Sequence, residues 1–461
     1  MQIGRRDLIW NYAATFMRIA SGLIVLPLVL KLLPTEEVGL WNIFIAVGTM
    51  TSLLDFGFSS SFSRNITYIF SGVKELKTQG YVPVSEDKTI DYGLLKSVIN
   101  TMRRFYGILS GVFLILFVAI SPFYLSNVLQ KYTGDSEEVW VAWFIYGILV
   151  AYQLYTYYYS SLLIGRGYVK RYQQIVVIGQ ACRILSITAF LLLGYGLISL
   201  IIGQFIGDII NRFLCYYSFY DKELKNQFKR AVAMKIGEVM KLMTPNAIKI
   251  GITSIGSFLV NNSVILIASL YLSLSDIASY GVTKQMIDLI GSLGTIWFMT
   301  FYPKITFHRV NNEMEHVKRM YIKGKLALIA TFIVCGAGLI LLGTILFDLI
   351  GAKTSLFPNA VIFVFLIIAF LERNHALSGQ LLLTKNEVPF AKAAILSGAF
   401  TVALMYFGLT FTSLGFWTLI LAPGIAQGVY QNWKWPAEVN KELRIKPKDI
   451  VTTFVGMLKV K

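Results

Sequence analysis

The sequence predicts an all-α polytopic membrane protein with about twelve transmembrane helices in two six-helix bundles. Three observations predict it. Across 461 residues the chain is 56% hydrophobic and 15% charged, whereas soluble domains average roughly 25% charged. The apolar residues gather in runs of about 20 or more, long enough to cross a ~30 Å hydrocarbon core as helices, and they lack the period-2 alternation of a membrane barrel. The basic residues fall almost entirely in alternate loops.

The first apolar run follows Arg5 and Arg6 and extends from Leu8 to Leu33. It is too long for the apolar region of a signal peptide and ends without a small-residue cleavage site, so it reads as a retained first span. The remaining runs place spans at 38–63, 105–127, 140–164, 174–194, 197–217, 243–270, 277–302, 324–350, 356–384, 389–410 and 414–435. With the N-terminus inside, six of the 42 Lys and Arg lie within spans. Three lie outside (Lys31, Lys131, Lys353), and the remaining 33 lie inside or at an inner helix mouth. That asymmetry follows the positive-inside rule and sets both termini in the cytoplasm.

Outside connections are short, as in Pro34-Thr35-Glu36-Glu37 and Gly194-Tyr195-Gly196. Inside, 64–104 is polar and reads as a mobile or surface-lying segment. Residues 218–242 carry charges at helical spacing, predicting a short amphipathic helix on the inner membrane surface. The expected organisation is a bundle over 1–217, a cytoplasmic linker over 218–242, a second bundle over 243–435 and a basic tail over 436–461. Spans 1 and 7 each hold one cation, Arg18 and Lys249, with an Asn nearby (Asn11, Asn246). An even number of spans per half makes these parallel repeats.

The cations inside spans are Arg18, Arg183, Arg212, Lys249, Lys284 and Arg373. Each costs roughly 2.5–3.5 kcal/mol at a bilayer centre, so such residues face the protein interior or a water-filled path. Asn11 and Arg18 are seven apart and share a helical face. Arg183 and Lys249 have no acid within their own spans. These four form the candidate site for an anion.

Asp55, in Leu53-Leu54-Asp55-Phe56-Gly57, is either a structural ion-pair partner or a site for a coupling ion, Na+ or H+. Asp208 and Arg212, and likewise Lys284 and Asp288, are four apart, which predicts self-neutralisation. Glu372, Arg373 and His375 read as a broken span whose polar groups face one another, with proton linkage through His375 as the alternative. The tyrosines Tyr152, Tyr155, Tyr157, Tyr158 and Tyr159 read as an interfacial belt, or as a stacking surface for sugars.

Several function classes are excluded. The net charge of +17 is explained by the loops, and no nucleic-acid-binding motif accompanies it. Cys182, Cys215 and Cys335 are isolated in apolar stretches, and His308, His316 and His375 show no metal-ligand spacing, so no metal or other cofactor is expected. There is no Walker A sequence, hence no direct use of ATP. The chain reads as a transporter, not an enzyme.

The stretch Arg18 … Pro27 … Leu32-Leu33-Pro34 … Glu37-Val38-Gly39-Leu40-Trp41 … Leu53-Leu54-Asp55-Phe56-Gly57 resembles the start of bacterial polysaccharide transporters. These are the Wzx-type O-antigen flippases of the multidrug/oligosaccharidyl-lipid/polysaccharide (MOP) exporter superfamily. The resemblance implies a MATE-like fold and movement of a polyprenyl-pyrophosphate-linked oligosaccharide, an O-antigen, capsule or exopolysaccharide repeat unit, across the bacterial inner membrane by alternating access. Lipopolysaccharide assembly, with a polysaccharide polymerase and chain-length machinery as partners, is implied too.

By position, the resemblance carries over to Arg18, Asp55 and Lys249. The physics agrees: a pyrophosphate cannot cross hydrocarbon unaided, and fixed cations offset its desolvation, while the lipid tail stays among the membrane lipids and the headgroup passes between the bundles. One rival is a cation-coupled multidrug exporter of the same superfamily, which would favour intramembrane acids. The other is a membrane glycosyltransferase or polymerase, which the short outside loops disfavour.

Overall fold

The computed structural model describes residues 5–76, 89–233, 236–385 and 388–458. Among the described residues there is no strand, and the chain runs through nineteen helices. Nine helical stretches are long and apolar enough to cross a membrane. Their large apolar side chains point outward as often as inward. Ile115, Ile120 and Phe123 on one helix and Val334, Leu341 and Leu349 on another are more than half exposed, which only a lipid environment tolerates in such numbers.

The first six spans begin with α1 (Arg5–Leu32). Span 2 is divided into α2 (Thr35–Gly48), α3 (Met50–Asp55) and α4 (Phe58–Phe70). The division has a backbone cause: Phe56 and Gly57 both adopt left-handed φ values, 53° and 75°. Gly57 does so freely, whereas Phe56 carries strain of order 1–3 kcal/mol. α5 (Tyr92–Leu129) starts well before the apolar run, so much of the segment expected to be mobile over 64–104 is helical. Its stretch 77–88 lies outside the described residues.

Span 4 is likewise divided, into α6 (Ser136–Tyr155) and α7 (Tyr158–Gly165). α8 (Val169–Leu192) and α9 (Ile198–Phe219) complete the set. The α8–α9 contact is the most extensive in this half, and small residues explain it. A Cβ added to Gly207 would lie 2.8 Å from the Arg183 Cβ and 2.9 Å from the Gly179 carbonyl oxygen. Gly203 and Gly207 form a small-xxx-small pair that lets the two backbones approach.

The linker contains α10 (Lys222–Arg230), capped by the Asp221 carboxylate, which accepts from Leu224 N at 2.8 Å. That bond, with the Arg166 guanidinium 2.6 Å away, holds the Asp221 carboxyl below the usual carboxylate range. Lys96 on α5 donates to the carbonyls of Phe228 and Ala231 at 2.7 and 2.8 Å, fastening the end of α10.

The later spans are α11 (Ile236–Asn261) with α12 (Ser263–Tyr271), α13 (Leu274–Val310), α14 (Met314–Ile350), α15 (Asn359–Leu383), α16 (Ala391–Phe411) and α17 (Trp417–Gly428). Helices thus occupy all twelve expected positions. The tail is structured as α18 (Gln431–Glu442) and α19 (Pro447–Leu458). The chain divides into two compact units, Met1–Ser254 and Ile255–Lys461. The division falls inside α11, so the linker expected to separate the halves belongs with the first unit.

Each unit has an aromatic centre. In the first, Trp41, Phe44, Trp143 and Tyr146 pack with ring centroids 4.8–6.4 Å apart. In the second, Tyr280 stacks on Phe365 at 5.7 Å, and Phe357 on Phe416 at 4.9 Å. Such pairs add roughly 0.5–1.5 kcal/mol each beyond their buried area.

Candidate functional site

Asn11, Arg18 and Lys249 lie on the helices α1 and α11, but their side chains are outside the described residues. The site is therefore built from the other candidates, which fall into two clusters in the first unit and one in the second.

The first cluster surrounds the break in span 2. Asp55 is buried, 4% exposed. Its carboxylate reaches over the left-handed turn and accepts from Ser59 N at 3.1 Å and Ser59 Oγ at 2.8 Å, closing the open end of α4. A carboxylate at a helix N-terminus is favoured by the free N–H groups there. The Tyr106 hydroxyl on α5 donates to its other face. Among the described residues no cation lies within ion-pair distance of Asp55, and its partners are Ser59 and Tyr106.

Two tyrosines of span 4 depart from an interfacial position. Tyr158 is buried and stacks against Tyr106 at 6.1 Å and Tyr159 at 4.6 Å. Tyr106 itself meets Tyr157 at 6.2 Å. Tyr157 and Tyr158 thus lie in the interior beside Tyr106, the partner of Asp55, while Tyr152, Tyr155 and Tyr159 are half-buried and pack against Phe205, Arg103 and Tyr216.

The second cluster joins α6, α8 and α9. Asp208 was expected to pair with Arg212 one turn away. Instead its carboxylate accepts from Gln153 Nε2 at 2.5 Å, and no ion pair joins Asp208 to Arg212 among the described residues. Arg212 and Arg183 both lie in charge–charge range of Asp208, so two guanidinium groups share one acid that already holds an amide. The Nε atoms of Arg183 and Arg212 are buried without a hydrogen-bond partner among the described residues. Such a donor costs about 1–3 kcal/mol or more when left unmade.

The third cluster joins α13 and α15. Lys284 and Asp288 pair at 2.5 Å as their spacing predicts. Arg373 leaves its expected partners Glu372 and His375 and crosses to the other oxygen of Asp288, at 2.7 Å. The glycine at 291 makes room, since its α-carbon faces the Arg373 side chain. Again two cations share one carboxylate, here with a side chain 41% exposed. His375 Nδ1 instead meets Asn432 Oδ1 on α18 at 2.8 Å. Glu372 lies in charge range of His375.

Helix periodicity points only to neighbours on the same helix, so Tyr106, Gln153 and Asn432 escaped the sequence reading. A further group, His308, Glu313 and His316, brings its ligating atoms within 4.8 Å of one another, contrary to the reading that the histidines show no metal-ligand spacing.

Away from the membrane interior the two ends differ chemically. On the sparsely basic side, Glu36 Oε2 accepts from Thr133 N and Oγ1, both at 2.9 Å, tying the first turn to the α5–α6 loop. Burial, together with the carboxylates of Glu37, Glu138, Glu36 and Asp135, pushes the nearby Tyr132 hydroxyl up to about 12. On the basic side, Arg309 donates to the Leu381 carbonyl at 2.8 Å and Thr384 Oγ1 at 2.6 Å, and pairs with Glu442. Lys385 adds a second cation to Glu442 at 2.7 Å.

No family model matches the chain, and no curated protein matches it. Solved structures do. An inward-facing multidrug resistance MATE family transporter of the MOP superfamily superposes with a TM-score of 0.66 at 13% identity, covering 94% of this chain and 95% of that one. The lipid II flippase MurJ, in an inward closed conformation, superposes with a TM-score of 0.64 at 17% identity, covering 98% of this chain and 90% of that one. At these identities the likeness shows the fold: a multi-pass membrane protein with the all-helical architecture of MOP-superfamily transporters.

Proposed function

We propose that the chain is a flippase that moves a polyprenyl-pyrophosphate-linked oligosaccharide across the bacterial inner membrane by alternating access, with both termini cytoplasmic. One observation carries the reading: in each compact unit, two intramembrane cations share a single carboxylate. Arg183 and Arg212 share Asp208, and Lys284 and Arg373 share Asp288. Each arrangement leaves positive charge that its own partners do not cancel. Arg18 and Lys249 add one cation to each leading span. A pyrophosphate supplies the missing negative charge, and guanidinium groups bind it through paired donors. Arg18, Lys249, Arg183 and Asn11 then contact the headgroup. The MurJ fold supports a lipid-linked substrate as the class.

The polar groups also offer a place for a coupling ion. Asp55 is the strongest candidate for Na+ or H+, because its carboxylate is buried and has no cationic partner among the described residues. The same acid favours a second reading, a cation-coupled multidrug exporter, which the MATE fold supports. The surplus of cations speaks against it, since such a cavity repels cationic drugs. In either reading the chain moves its substrate without changing covalent bonds.

Reconstitution decides. In proteoliposomes carrying a fluorescent polyprenyl-pyrophosphate oligosaccharide, the protein is expected to expose the headgroup to the opposite leaflet, and Arg18→Ala and Lys249→Ala to abolish this. Normal transport by both variants overturns the headgroup assignment. Export of cationic drugs without lipid transport moves the chain to the second reading.

A further inference from the structure

The turn between α13 and α14 holds a group of side chains that the transport reading does not use. His308 lies in the last turn of α13. Asn311 and Asn312 reverse the chain, with Asn312 in the left-handed region at φ 58°, which Asn tolerates better than most residues. Glu313 occupies the N-cap position of α14 and His316 lies in its first turn. The reversal stacks the His308 and His316 rings at 4.9 Å with their planes 16° apart. It also sets a Glu313 carboxylate oxygen against His308 Nδ1. One atom from each of the three residues lies within 4.8 Å of the others.

We propose that His308, Glu313 and His316 bind a divalent metal ion of the zinc class. Two imidazoles and one carboxylate form a donor set that borderline divalent metals take with three protein ligands, leaving a fourth position to water. His308 is half-buried and fixes the site, while Glu313 and His316 are exposed. Binding one ion requires the three ligating atoms to draw closer than 4.8 Å and the ion to replace the contact between Glu313 and His308 Nδ1.

The three ligands come from the end of one helix, the turn and the start of the next. A bound ion therefore clips α13 to α14. Arg309, next to His308, already ties this corner to the Leu381 carbonyl and Glu442, so the ion adds a second fastening to the same corner.

The test uses the full-length protein in detergent with any affinity tag removed. Titration with Zn2+, read by calorimetry, is expected to show one saturable site per chain. Co2+ in its place is expected to give the visible absorption of a four-coordinate ion. His308→Ala, Glu313→Gln and His316→Ala are each expected to weaken Zn2+ binding by roughly tenfold or more. Glu315→Gln, whose side chain is 85% exposed and faces Lys318, is expected to leave it unchanged. Zn2+ is further expected to slow amide exchange over residues 308–316 in the wild type and in Glu315→Gln, and not in the three ligand variants. His316→Ala is exposed and carries the test if His308→Ala fails to fold. Absence of a saturable site in the wild type, or wild-type affinity in His316→Ala, overturns the proposal, as does an equal loss in Glu315→Gln.

Discussion

The Tyr106 hydroxyl donates to the Asp55 carboxylate, joining α5 to the turn that interrupts the second span. Hydrogen bonds to a charged group contribute about 1.5–3 kcal/mol. Tyr106→Phe removes the donor but keeps the ring packing against Phe62 and Tyr158. It is expected to lower stability by about that amount, measured as the shift of thermal unfolding in detergent. Asp55→Asn is expected to cost more, because it also weakens the cap on α4. Equal melting of Tyr106→Phe and wild type would show that the hydroxyl contributes nothing to holding the turn.

Asp288 holds Lys284 and Arg373 together. Asp288→Asn leaves two cations facing each other across α13 and α15, whereas Arg373→Met leaves the Lys284–Asp288 pair intact. Removing one partner of a fully buried pair costs ~3–5 kcal/mol. Asp288 is partly exposed, so about 1–3 kcal/mol is expected. Arg373→Met is expected to cost less than Asp288→Asn. A double-mutant cycle measures the coupling, and a value near zero would mean that solvent screens the triad completely.

Gly207 lies where the backbones of α8 and α9 approach closely. Gly207→Ala puts a methyl group 2.8 Å from the Arg183 Cβ, too near for backbone-tethered atoms to yield easily. A loss of about 1–3 kcal/mol is expected. Gly338→Ala, on a face with nothing within 4 Å, is expected to be neutral or slightly stabilising through helix propensity. Equal melting temperatures for the two variants would rule out close packing at Gly207.

Asp449 docks α19 onto α14. The Lys318 ammonium, 2.8 Å away, and the Lys446 N–H hold its carboxyl below the ordinary value. A carboxyl lowered in the folded state stabilises fully above its unfolded value, near 3.9, and loses that contribution as pH falls through the folded value. α19 is therefore expected to stay docked at neutral pH and to loosen only under acid conditions below about pH 4. Amide exchange over residues 447–457, compared with Asp449→Asn, checks this. The variant is expected to exchange faster at neutral pH, and acid is expected to remove the difference.

The apolar runs and the loop charges made the helical architecture legible, because hydropathy and the positive-inside bias are properties of segments, not of contacts. The Lys284–Asp288 pair was legible for a similar reason: its partners lie one turn apart on one helix. Partners on different helices were not. Asp208 takes Gln153 over Arg212, and Arg373 takes Asp288 over Glu372, because interhelical distance decides and periodicity says nothing about it. The break at Phe56-Gly57 left one local sign, the glycine. A phenylalanine in the left-handed region has no sequence signature, since its strain is offset by the contacts Asp55 makes across the turn. The His308 group was missed because a reversing turn lies between its members, so helical spacing could not relate them.

The interruptions in spans 2 and 4 have a mechanical consequence. α4 and α7 are bonded to each other, by Ser161 Oγ to the Ser59 carbonyl at 2.9 Å, and each is joined to the rest of its span through a few residues outside regular helix. α4 has 13 residues, so it is an arm about 20 Å long. A tilt of about 10° at its pivot swings the far end through about 3.5 Å, a little more than the width of a water molecule. Through the Ser161–Ser59 bond, a tilt at the turn beside Asp55 would carry α7 along with α4, and it would be largest at the end of α4 farthest from that turn.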